Sequence, residues 1–398
     1  MIPRLIKNRL ALAWQQFPVV VVSGARQVGK TTLARAFLPR ASYVTLDLPA
    51  EAETARLNPA QLFQTHPAPL ILDEVQYAPN VLRHLKILVD QDRTPGQYLL
   101  TGSQSFELMS GVTESLAGRA AILTLPPLTL LELPDTKNLE LIDAYLWRGA
   151  YPELWQRPEL DRILWLGSYL ATYLERDVRN LLNVGSLRDF DRFLRACALR
   201  VGQLLSYADL ARDVGISPNT VRSWISVLEA SQQIFLLEPY HRQRTKRLVK
   251  SPKLYFTDTG MLTYLMGFSS ASELPRHALW GAVWENFVVC EVRKSYLVRG
   301  MRAPLWFWRT LSGEELDLLI EVAPEKFVVI ESKTAAQVDA SALRNVRSLQ
   351  AEYGEASVDK AFVVCRTERA YPLTEGGASE AVPLVGLSGL LGRPELGE

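Results

Sequence analysis

The sequence predicts an α/β protein of several domains, and three observations support this fold class. A glycine-rich loop at 24–31 lies between a β-branched run and a run of helix formers. A short helix, a glycine turn and a second helix are predicted within 207–230. From residue 281 a helical pattern precedes three strand-like apolar runs. At 398 residues the chain is long enough for roughly two to four domains.

The composition excludes several classes of protein. Lys and Arg number 44 against 43 Asp and Glu, so the net charge is +1 and any nucleic-acid surface has to be a local patch. The three cysteines and four histidines are scattered, which indicates neither a disulfide framework nor a zinc site. The first 16 residues have an amphipathic helical pattern without a secretion signal, and no apolar run is long enough to span a membrane. We therefore expect a cytoplasmic protein with no membrane partner.

A phosphate-binding loop is predicted at 24–31, where a glycine and four free positions precede Gly-Lys-Thr. The buried strand predicted at 18–22 and the helix predicted at 32–38 are the flanks that this motif requires. Gly24 and Gly29 let the loop turn its N–H groups inward, where they and the helix N-terminus hold a polyphosphate. The predicted ATP-binding residues are Gly24, Ala25, Arg26, Gln27, Val28, Gly29, Lys30, Thr31, Thr32 and Ser103.

Four side chains are predicted to support hydrolysis. Lys30 would reach the outer phosphates, and Thr31 would offer its hydroxyl to Mg²⁺. Asp73 and Glu74 end the apolar run that begins at Pro69. Asp73 would hold Mg²⁺ through its water shell. Glu74 would orient and polarise the attacking water.

Ser103 and Arg119 can each be interpreted in two ways. Ser103 follows a strand predicted from Gln97 and could sense the γ-phosphate by hydrogen bonding, or it could belong to a simple turn. Arg119 precedes the strand at 121–125 and would act as an arginine finger in a neighbouring subunit, which requires a homo-oligomer. A surface salt bridge is the other interpretation of Arg119.

The middle of the chain is predicted to form a helical linker and a winged helix. A broad apolar stripe predicts a helix over 158–182. Helices at 207–214 and 218–230 flank a glycine turn, which is the helix-turn-helix order. The apolar runs at 234–237 and 253–256 are sufficient for the wing hairpin.

Two features of this unit indicate DNA as a partner. The exposed face of the second helix is predicted to carry side chains suited to phosphates or base edges, namely Asn219, Thr220, Arg222 and Ser223. The segment 241–253 has six Lys or Arg residues and no acidic residue, so it could follow a DNA backbone. Two alternatives stand beside this prediction, because winged helices also mediate domain contacts and a basic loop can be a solvated face.

From residue 279 the predicted order of helix, three strands, helix and strand is that of the PD-(D/E)xK nuclease core. Glu331 and Lys333 are two apart on the third strand and therefore share a face. Asp317 begins the neighbouring strand, and Glu285 can approach from the helix at 281–297. The other predicted elements are strands at 305–309, 316–321, 326–333 and 360–364 and a helix at 340–350.

Three carboxylates, Glu285, Asp317 and Glu331, are predicted to surround one point and to bind Mg²⁺, with Mn²⁺ as a second candidate. The metal would activate water, and Lys333 would position that water or stabilise the developing anion. Ser332 is expected to point off the site face, with little consequence. Such folds also persist as binding modules without cleavage, so an active and an inactive site are both considered.

Several of these motifs resemble those of a bacterial and archaeal family of AAA-type ATPases with a C-terminal DUF4143 domain. The resemblance in the first domain lies in Gly-Ala-Arg-Gln-Val-Gly-Lys-Thr-Thr, Leu-Asp-Glu-Val-Gln, Leu-Thr-Gly-Ser-Gln and Ala-Gly-Arg. In the last domain it lies in Trp-Glu-Asn-Phe-Val, Trp-Arg-Thr-Leu-Ser-Gly-Glu-Glu-Leu-Asp and Ile-Glu-Ser-Lys. The resemblance covers nearly the whole chain and implies an AAA-like ATPase fold for the first domain.

We therefore predict three domains. They are a P-loop AAA-like ATPase domain at 1–155, a helical linker with a winged-helix domain at 156–265, and a restriction-endonuclease-like (PD-(D/E)xK) α/β domain with a tail at 266–398. The predicted function is an ATP-hydrolysing, DNA-binding protein that remodels or processes DNA, such as ends or branched structures. The alternatives are an ATP-driven switch with a non-cleaving nuclease-like domain and a transcription-factor-like reader of DNA.

Overall fold

The computed structural model describes residues 1–102, 115–134, 139–173, 187–241, 251–374 and 379–383. Ser103 lies outside these ranges, as do residues 242–250 of the predicted basic segment and the end of the helix predicted over 158–182. The predictions made for those residues stay predictions. Within the described part of the chain, no helix combines the length and the apolar character needed to cross a membrane.

The first unit is a parallel five-stranded sheet, as the alternation of strands and helices predicts. Its strands are β1 (Val19–Ser23), β2 (Ser42–Thr45), β3 (Leu70–Asp73), β4 (Tyr98–Gly102) and β5 (Ala120–Thr124). The helices are α1 (Lys7–Gln16), α2 (Lys30–Phe37), α3 (Pro49–Leu57), α4 (Pro59–Thr65) and α5 (Val81–Gln91). The strand order β2-β3-β4-β1-β5 puts the all-valine start of β1 between β4 and β5, where every residue of the strand is buried.

The middle unit is mainly helical. Its helices are α6 (Leu139–Arg148), α7 (Pro152–Gln156), α8 (Arg162–Tyr173), α9 (Leu187–Ala198), α10 (Tyr207–Val214), α11 (Pro218–Ala230) and, after the hairpin, α12 (Thr259–Leu265). Strands β6 (Ile234–Leu237) and β7 (Lys253–Phe256) pair antiparallel, as predicted for a hairpin. The caps of α10 and α11 follow the sequence: Ser206 and Ser217 accept backbone N–H groups, and Gly215 ends α10 with φ of 81°.

The last unit packs α13 (Trp280–Leu297) against a six-stranded mixed sheet. The strands are β8 (Leu305–Arg309), β9 (Glu315–Ala323), β10 (Lys326–Ser332), β11 (Val358–Val364), β12 (Tyr371–Pro372) and β13 (Ser379–Val382), in the order β12-β13-β11-β10-β9-β8. The helix predicted at 340–350 begins later in the structure than predicted. A 3₁₀ turn at Ala340–Leu343 precedes α14 (Val346–Tyr353), and Asp339 caps the turn by accepting from Ser341 N–H.

Two buried contacts join α13 to the other units. Lys294 Nζ donates to the backbone carbonyl of Leu128 at 2.9 Å and to Glu291 at 2.9 Å, and the hydroxyl of Tyr145 donates to Glu291 at 2.9 Å. Asn286 uses its side-chain amide like a strand backbone: it accepts from Phe256 N–H at 2.8 Å and donates to the carbonyl of the same residue at 3.2 Å. One helix therefore contacts both the nucleotide-binding unit and the hairpin.

Candidate functional site

The loop between β1 and α2 has the backbone that phosphate binding requires. Gly29 has φ of 93°, a left-handed conformation that side chains disfavour, and α2 begins directly after it. A Cβ atom on Gly24 would lie 2.5 Å from the backbone oxygen of Leu125, so this position has no room for a side chain. The structure therefore requires glycine at both positions of the motif. The N-terminus of α2 directly follows the loop.

Lys30 is buried inside the loop. Its ammonium donates to the backbone oxygens of Gly24 at 3.0 Å and Ala25 at 2.9 Å. The side chain also lines a cavity of about 650 Å³, within the size range of small-molecule sites. The predicted residues Arg26, Gln27, Gly29, Thr31, Thr32 and Glu74 line the same cavity.

The Thr31 hydroxyl and the Asp73 carboxylate lie together, as a shared Mg²⁺ would require. Thr31 Oγ1 is 3.0 Å from each Asp73 oxygen. Asp73 also accepts from the hydroxyls of Tyr43, at 2.8 Å, and Thr101. Within the described residues this buried carboxylate has hydroxyl donors only and no ion pair, so its charge lacks a counter-ion. Two hard oxygen donors with uncompensated charge fit Mg²⁺.

Tyr43 is a site residue that sequence reasoning missed. Burial, with the hydrogen bond to Asp73 next, raises the pKa of Tyr43 to about 12, so it stays a hydrogen-bond donor. Its position follows from the parallel pairing of β2 with β3, which brings Thr45 opposite Asp73 and Tyr43 two residues behind. No local motif marks a residue in such a position.

Glu74 follows β3 in a left-handed conformation, with φ of 59° and ψ of 48°. This conformation is uncommon for a residue with a side chain and often occurs at functional sites. Its side chain accepts from the Gln76 amide and lines the cavity. Glu74 therefore lies where a residue that orients water is expected.

Arg4 holds the phosphate-binding loop from outside. Its guanidinium donates to the backbone oxygens of Val28 and Pro126, both at 2.6 Å, and to Glu132 at 3.1 Å. The side chains of Arg4 and Glu132 are 7% and 1% exposed, so the ion pair is buried. No local pattern in the sequence indicates this contact, because the partners of Arg4 lie 24 to 128 residues away.

Part of the cavity lining comes from the middle unit. Tyr169, Thr172 and Tyr173 of α8 line it, although the sequence pattern indicated only a packed helix. The hydroxyls of both tyrosines contact the segment that follows α11. The Tyr169 hydroxyl accepts from the Gln233 amide at 3.0 Å, and the Tyr173 hydroxyl lies 2.8 Å from Ser231 Oγ. Tyr169 and Tyr173 thus contact both the cavity and the turn between α11 and β6.

Arg119 forms a two-pronged ion pair with Asp90 of the same chain, at 2.7 and 3.0 Å. It precedes β5, whose first residue Ala120 pairs with Val19 at the start of β1. Arg119 therefore lies at the edge of the sheet opposite its own phosphate-binding loop. Within one chain, Arg119 thus forms the predicted salt bridge. Its role as an arginine finger in a neighbouring subunit stays a prediction.

The three carboxylates predicted to bind a metal lie near one another, but they are not arranged to hold a metal ion. Among the described residues, no group of three or more His, Cys, Asp or Glu side chains is arranged to hold a metal ion. Glu285 accepts from Lys253 Nζ at 2.9 Å and from the Tyr255 hydroxyl at 2.6 Å, both on β7. Unlike Asp73, Glu285 is thus already paired with an ammonium group, which supplies the positive charge that a metal would bring. The predicted Mg²⁺ or Mn²⁺ site does not fit this arrangement.

The prediction for Ser332 is wrong. Its N–H and its hydroxyl both donate to Asp317 Oδ2, at 2.8 and 2.7 Å. The ladder between β9 and β10 ends at Ile330, so Ser332 lacks a partner in β9 and turns to the carboxylate instead. The predicted pair of Glu331 and Lys333 is present, with 3.0 Å between the ammonium and the carboxylate.

Two carboxyl groups of this region have strongly raised pKa values. Burial, and then the charge of Asp317, raises the pKa of Glu285 to about 7 and that of Glu331 to about 8. Burial alone would lower the pKa of Lys253, but Glu285, Asp317 and the neighbouring Glu315 raise it above its usual value. The region therefore has more carboxyl groups than its ammonium groups neutralise.

The predicted face of α11 is accessible. Asn219, Arg222 and Ser223 are exposed and Thr220 is half-buried, whereas Trp224 of the same helix is buried. Lys253, in contrast, cannot belong to an exposed basic surface, because its side chain is 2% exposed. The prediction of a basic patch through 241–253 is corrected at this residue.

Comparison with known proteins assigns the chain to a family. An AAA domain model matches residues 16–133, a domain of unknown function (DUF8612) matches 139–272, and a domain of unknown function (DUF4143) matches 280–386. The uncharacterized protein Rv2008c of Mycobacterium tuberculosis is 32% identical over 371 residues, which cover 92% of this chain and 80% of the relative. The chain belongs to the family of AAA-type ATPases with a C-terminal DUF4143 domain.

Two further similarities complete the comparison. The uncharacterized protein Mb2031c of Mycobacterium bovis is also 32% identical, over 92% of this chain and 80% of its own. Among solved structures, the Walker-type ATPase PABY2304 of Pyrococcus abyssi has a TM-score of 0.42 and 18% identity, covering 65% of this chain and 94% of that one. A structural similarity of that size supports no conclusion about function.

The buried pair of Arg4 and Glu132 gives a prediction for stability. In Arg4→Met the Glu132 carboxylate keeps its backbone donors but loses its counter-ion, so the free energy of unfolding should fall by about 3 to 5 kcal/mol. Arg4→Met/Glu132→Gln should recover part of that loss. Urea unfolding measures both, with Lys7→Met, an exposed residue of α1, as the matched control. A double variant no more stable than Arg4→Met would contradict the interpretation.

Proposed function

We propose that the protein is an ATP-driven switch, in which nucleotide binding and hydrolysis in the first unit change the position of the middle unit. The observation that supports this proposal is the part of the cavity lining that comes from α8. Tyr169 and Tyr173 line the nucleotide cavity and are hydrogen bonded to the turn that carries Ser231 and Gln233. A nucleotide that moves this wall moves the turn with it.

Hydrolysis is assigned to residues of the first unit. The loop N–H groups and Lys30 would bind the polyphosphate, and Thr31 with Asp73 would hold Mg²⁺. When bound, Mg²⁺ neutralises charge on the phosphate oxygens. Glu74 would orient the attacking water, since its carboxylate lines the same cavity as Lys30.

For the last unit we propose a restriction-endonuclease-like core that binds a partner or DNA without cleavage, and for α10, α11 and the hairpin a winged helix. The order of α13, β8, β9 and β10 supports the first assignment. Engagement of Glu285 by Lys253 and Tyr255 favours the non-cleaving form over the nuclease.

Glu74→Gln should separate nucleotide binding from hydrolysis. Removing a residue that orients water lowers the rate by about 100-fold or more, whereas the binding residues stay intact. Steady-state phosphate release measures the rate, and a fluorescent ATP analogue measures affinity. Lys30→Ala is the blank, and Glu53→Gln, an exposed residue of α3, is the matched control. Wild-type turnover by Glu74→Gln would remove Glu74 from this role.

The coupling of the cavity to the middle unit predicts an effect of Tyr173→Phe. The variant keeps the ring that lines the cavity and loses the hydroxyl that contacts Ser231. Binding of a non-hydrolysable ATP analogue should slow amide hydrogen exchange at 231–237 in the wild type. The factor by which the analogue slows exchange should be about fivefold smaller in the variant than in the wild type. This difference corresponds to the loss of one hydrogen bond of about 1 kcal/mol.

Tyr207→Phe is the control for this experiment, because the described structure gives the Tyr207 hydroxyl no hydrogen bond. Analogue affinity should stay within about threefold of the wild type in both variants, since neither removes a phosphate ligand. Equal protection of 231–237 in Tyr173→Phe and the wild type would exclude the tyrosine wall as the route.

A second candidate function is DNA binding through α11, which the exposed Asn219, Arg222 and Ser223 favour. Arg222→Ala should weaken duplex DNA binding and reduce the salt slope by about one phosphate contact. Fluorescence anisotropy with single-stranded, duplex and four-way-branched DNA at several salt concentrations measures both. Arg212→Ala, an exposed arginine of α10, is the matched control. Equal loss in the two variants would argue against a specific face on α11.

A further inference from the structure

The cavity beside the phosphate-binding loop has two cationic side chains among its described lining residues, Lys30 and Arg26. Lys30 is buried, and its ammonium donates to the loop carbonyls of Gly24 and Ala25. Arg26 is only half-buried. Lys30 is thus held inside the loop, whereas Arg26 is partly open to the space that a nucleotide would occupy.

The guanidinium of Arg26 lies at the Glu74 end of the cavity. Its Nη2 atom donates to the Tyr77 hydroxyl at 3.5 Å. Tyr77 belongs to the 3₁₀ turn Val75–Tyr77, which begins directly after Glu74, and its N–H donates to the Glu74 carbonyl at 3.1 Å. Glu74 and Tyr77 both line the cavity. The guanidinium is therefore close to the residue that is proposed to orient the attacking water.

The contact between Arg26 and Tyr77 is weak. A donor–acceptor distance of 3.5 Å is at the long limit of hydrogen bonds, so this contact contributes little energy. The turn itself is better fixed, because Arg56 Nε donates to the Tyr77 carbonyl at 2.7 Å. Charged phosphate oxygens accept stronger hydrogen bonds than a neutral hydroxyl does. A phosphate within reach of Arg26 is therefore a better partner for it than Tyr77.

The hydrolysis of ATP benefits from such a cation. Negative charge in the transition state spreads over the equatorial oxygens of the γ-phosphoryl group, and an arginine that contacts them raises the rate by about 10³- to 10⁵-fold. A planar guanidinium contacts two oxygens at once, which an ammonium does not. Arg119, the arginine predicted for this role, is paired with Asp90. Of these two arginines, only Arg26 lines the cavity of its own chain.

We propose that Arg26 is a catalytic residue of the ATPase, an arginine finger that each chain supplies to its own site. In the reaction, the bond between the γ-phosphorus and the ADP oxygen breaks and a bond to the water oxygen forms. The water gives up one proton to the solvent, and ADP and inorganic phosphate leave. Arg26 binds oxygens of the transferred group. The proposal rests on the proposed ATP hydrolysis, and it adds that no neighbouring subunit has to supply the arginine.

Arg26→Gln tests this role on the full chain, because it removes the charge and keeps a polar side chain. Phosphate release at saturating ATP should fall by about 100-fold or more. Arg26→Lys should recover only part of the rate, because an ammonium lacks the planar fork. Arg83→Gln, which changes an exposed arginine of α5, is the matched control and should hydrolyse ATP like the wild type. Wild-type turnover by a folded Arg26→Gln would overturn the proposal.

Binding of ADP with aluminium fluoride, a mimic of the transferred group, provides a readout that does not need turnover. Isothermal titration should show that aluminium fluoride tightens Mg²⁺–ADP binding at least about tenfold in the wild type and not in Arg26→Gln. Affinity for ADP alone should be within about threefold in the two proteins, since ADP lacks the γ-phosphate. If Arg26→Gln does not fold, Arg26→Lys takes its place, and wild-type turnover with full tightening in it would overturn the proposal.

The two readouts separate the failure of this proposal from the failure of the proposed function. A wild type that releases no more phosphate than Lys30→Ala would refute the proposed hydrolysis. Equal tightening by aluminium fluoride in Arg26→Gln and the wild type would refute the role of Arg26, whatever the rate of turnover.

A mixture of two variants tests whether the arginine acts within its own chain. Arg26→Gln keeps Glu74, and Glu74→Gln keeps Arg26, so the mixture contains both side chains only on different chains. An arginine that serves its own site gives the mixture the average of the two separate rates. Turnover well above that average would mean that Arg26 reaches the site of a neighbouring subunit, and it would overturn the assignment to its own chain.

Discussion

The buried ion pair between Glu291 and Lys294 is the interaction on which the arrangement of the three units depends. The two side chains are 3% and 5% exposed and lie one turn apart on α13. Removing either partner would leave a buried charge, so the pair requires the donors and acceptors that surround it. Two of these come from the nucleotide-binding unit: Glu291 accepts from Leu130 N–H at 2.8 Å, and Lys294 donates to the Leu128 carbonyl. A third is the hydroxyl of Tyr145 in the middle unit, which donates to Glu291. The helix of the last unit is thereby fixed to the first.

The other end of α13 meets the hairpin. Asn286 satisfies both backbone groups of Phe256, and Glu285 contacts the ammonium of Lys253. The first unit, α13 and β7 are therefore connected through buried polar contacts, which tolerate small displacements less well than apolar ones. A change in the position of the middle unit has to be accommodated at this helix.

The features that could be predicted from the sequence are local ones. The phosphate-binding loop follows from spacing within eight residues, and Asp73 follows from the end of an apolar strand. Tyr43 and Arg4 could not be found, because strand pairing and a long-range contact bring them to the site. The sequence predicts a basic surface that includes Lys253, because composition does not distinguish a solvated lysine from one buried against carboxylates of another unit. Ser332 departs from strand alternation because its ladder ends before it.

The origin of the cavity wall has a consequence for how the chain can be divided. The phosphate-binding loop and the β3 carboxylates lie within the first 134 residues, but Tyr169, Thr172 and Tyr173 lie beyond them. A fragment that ends after β5 would keep every predicted hydrolytic side chain and leave the nucleotide open to water on one side. Water competes for hydrogen bonds and weakens electrostatic contacts to phosphate. The smallest piece of this chain with the complete lining of the cavity therefore includes α8.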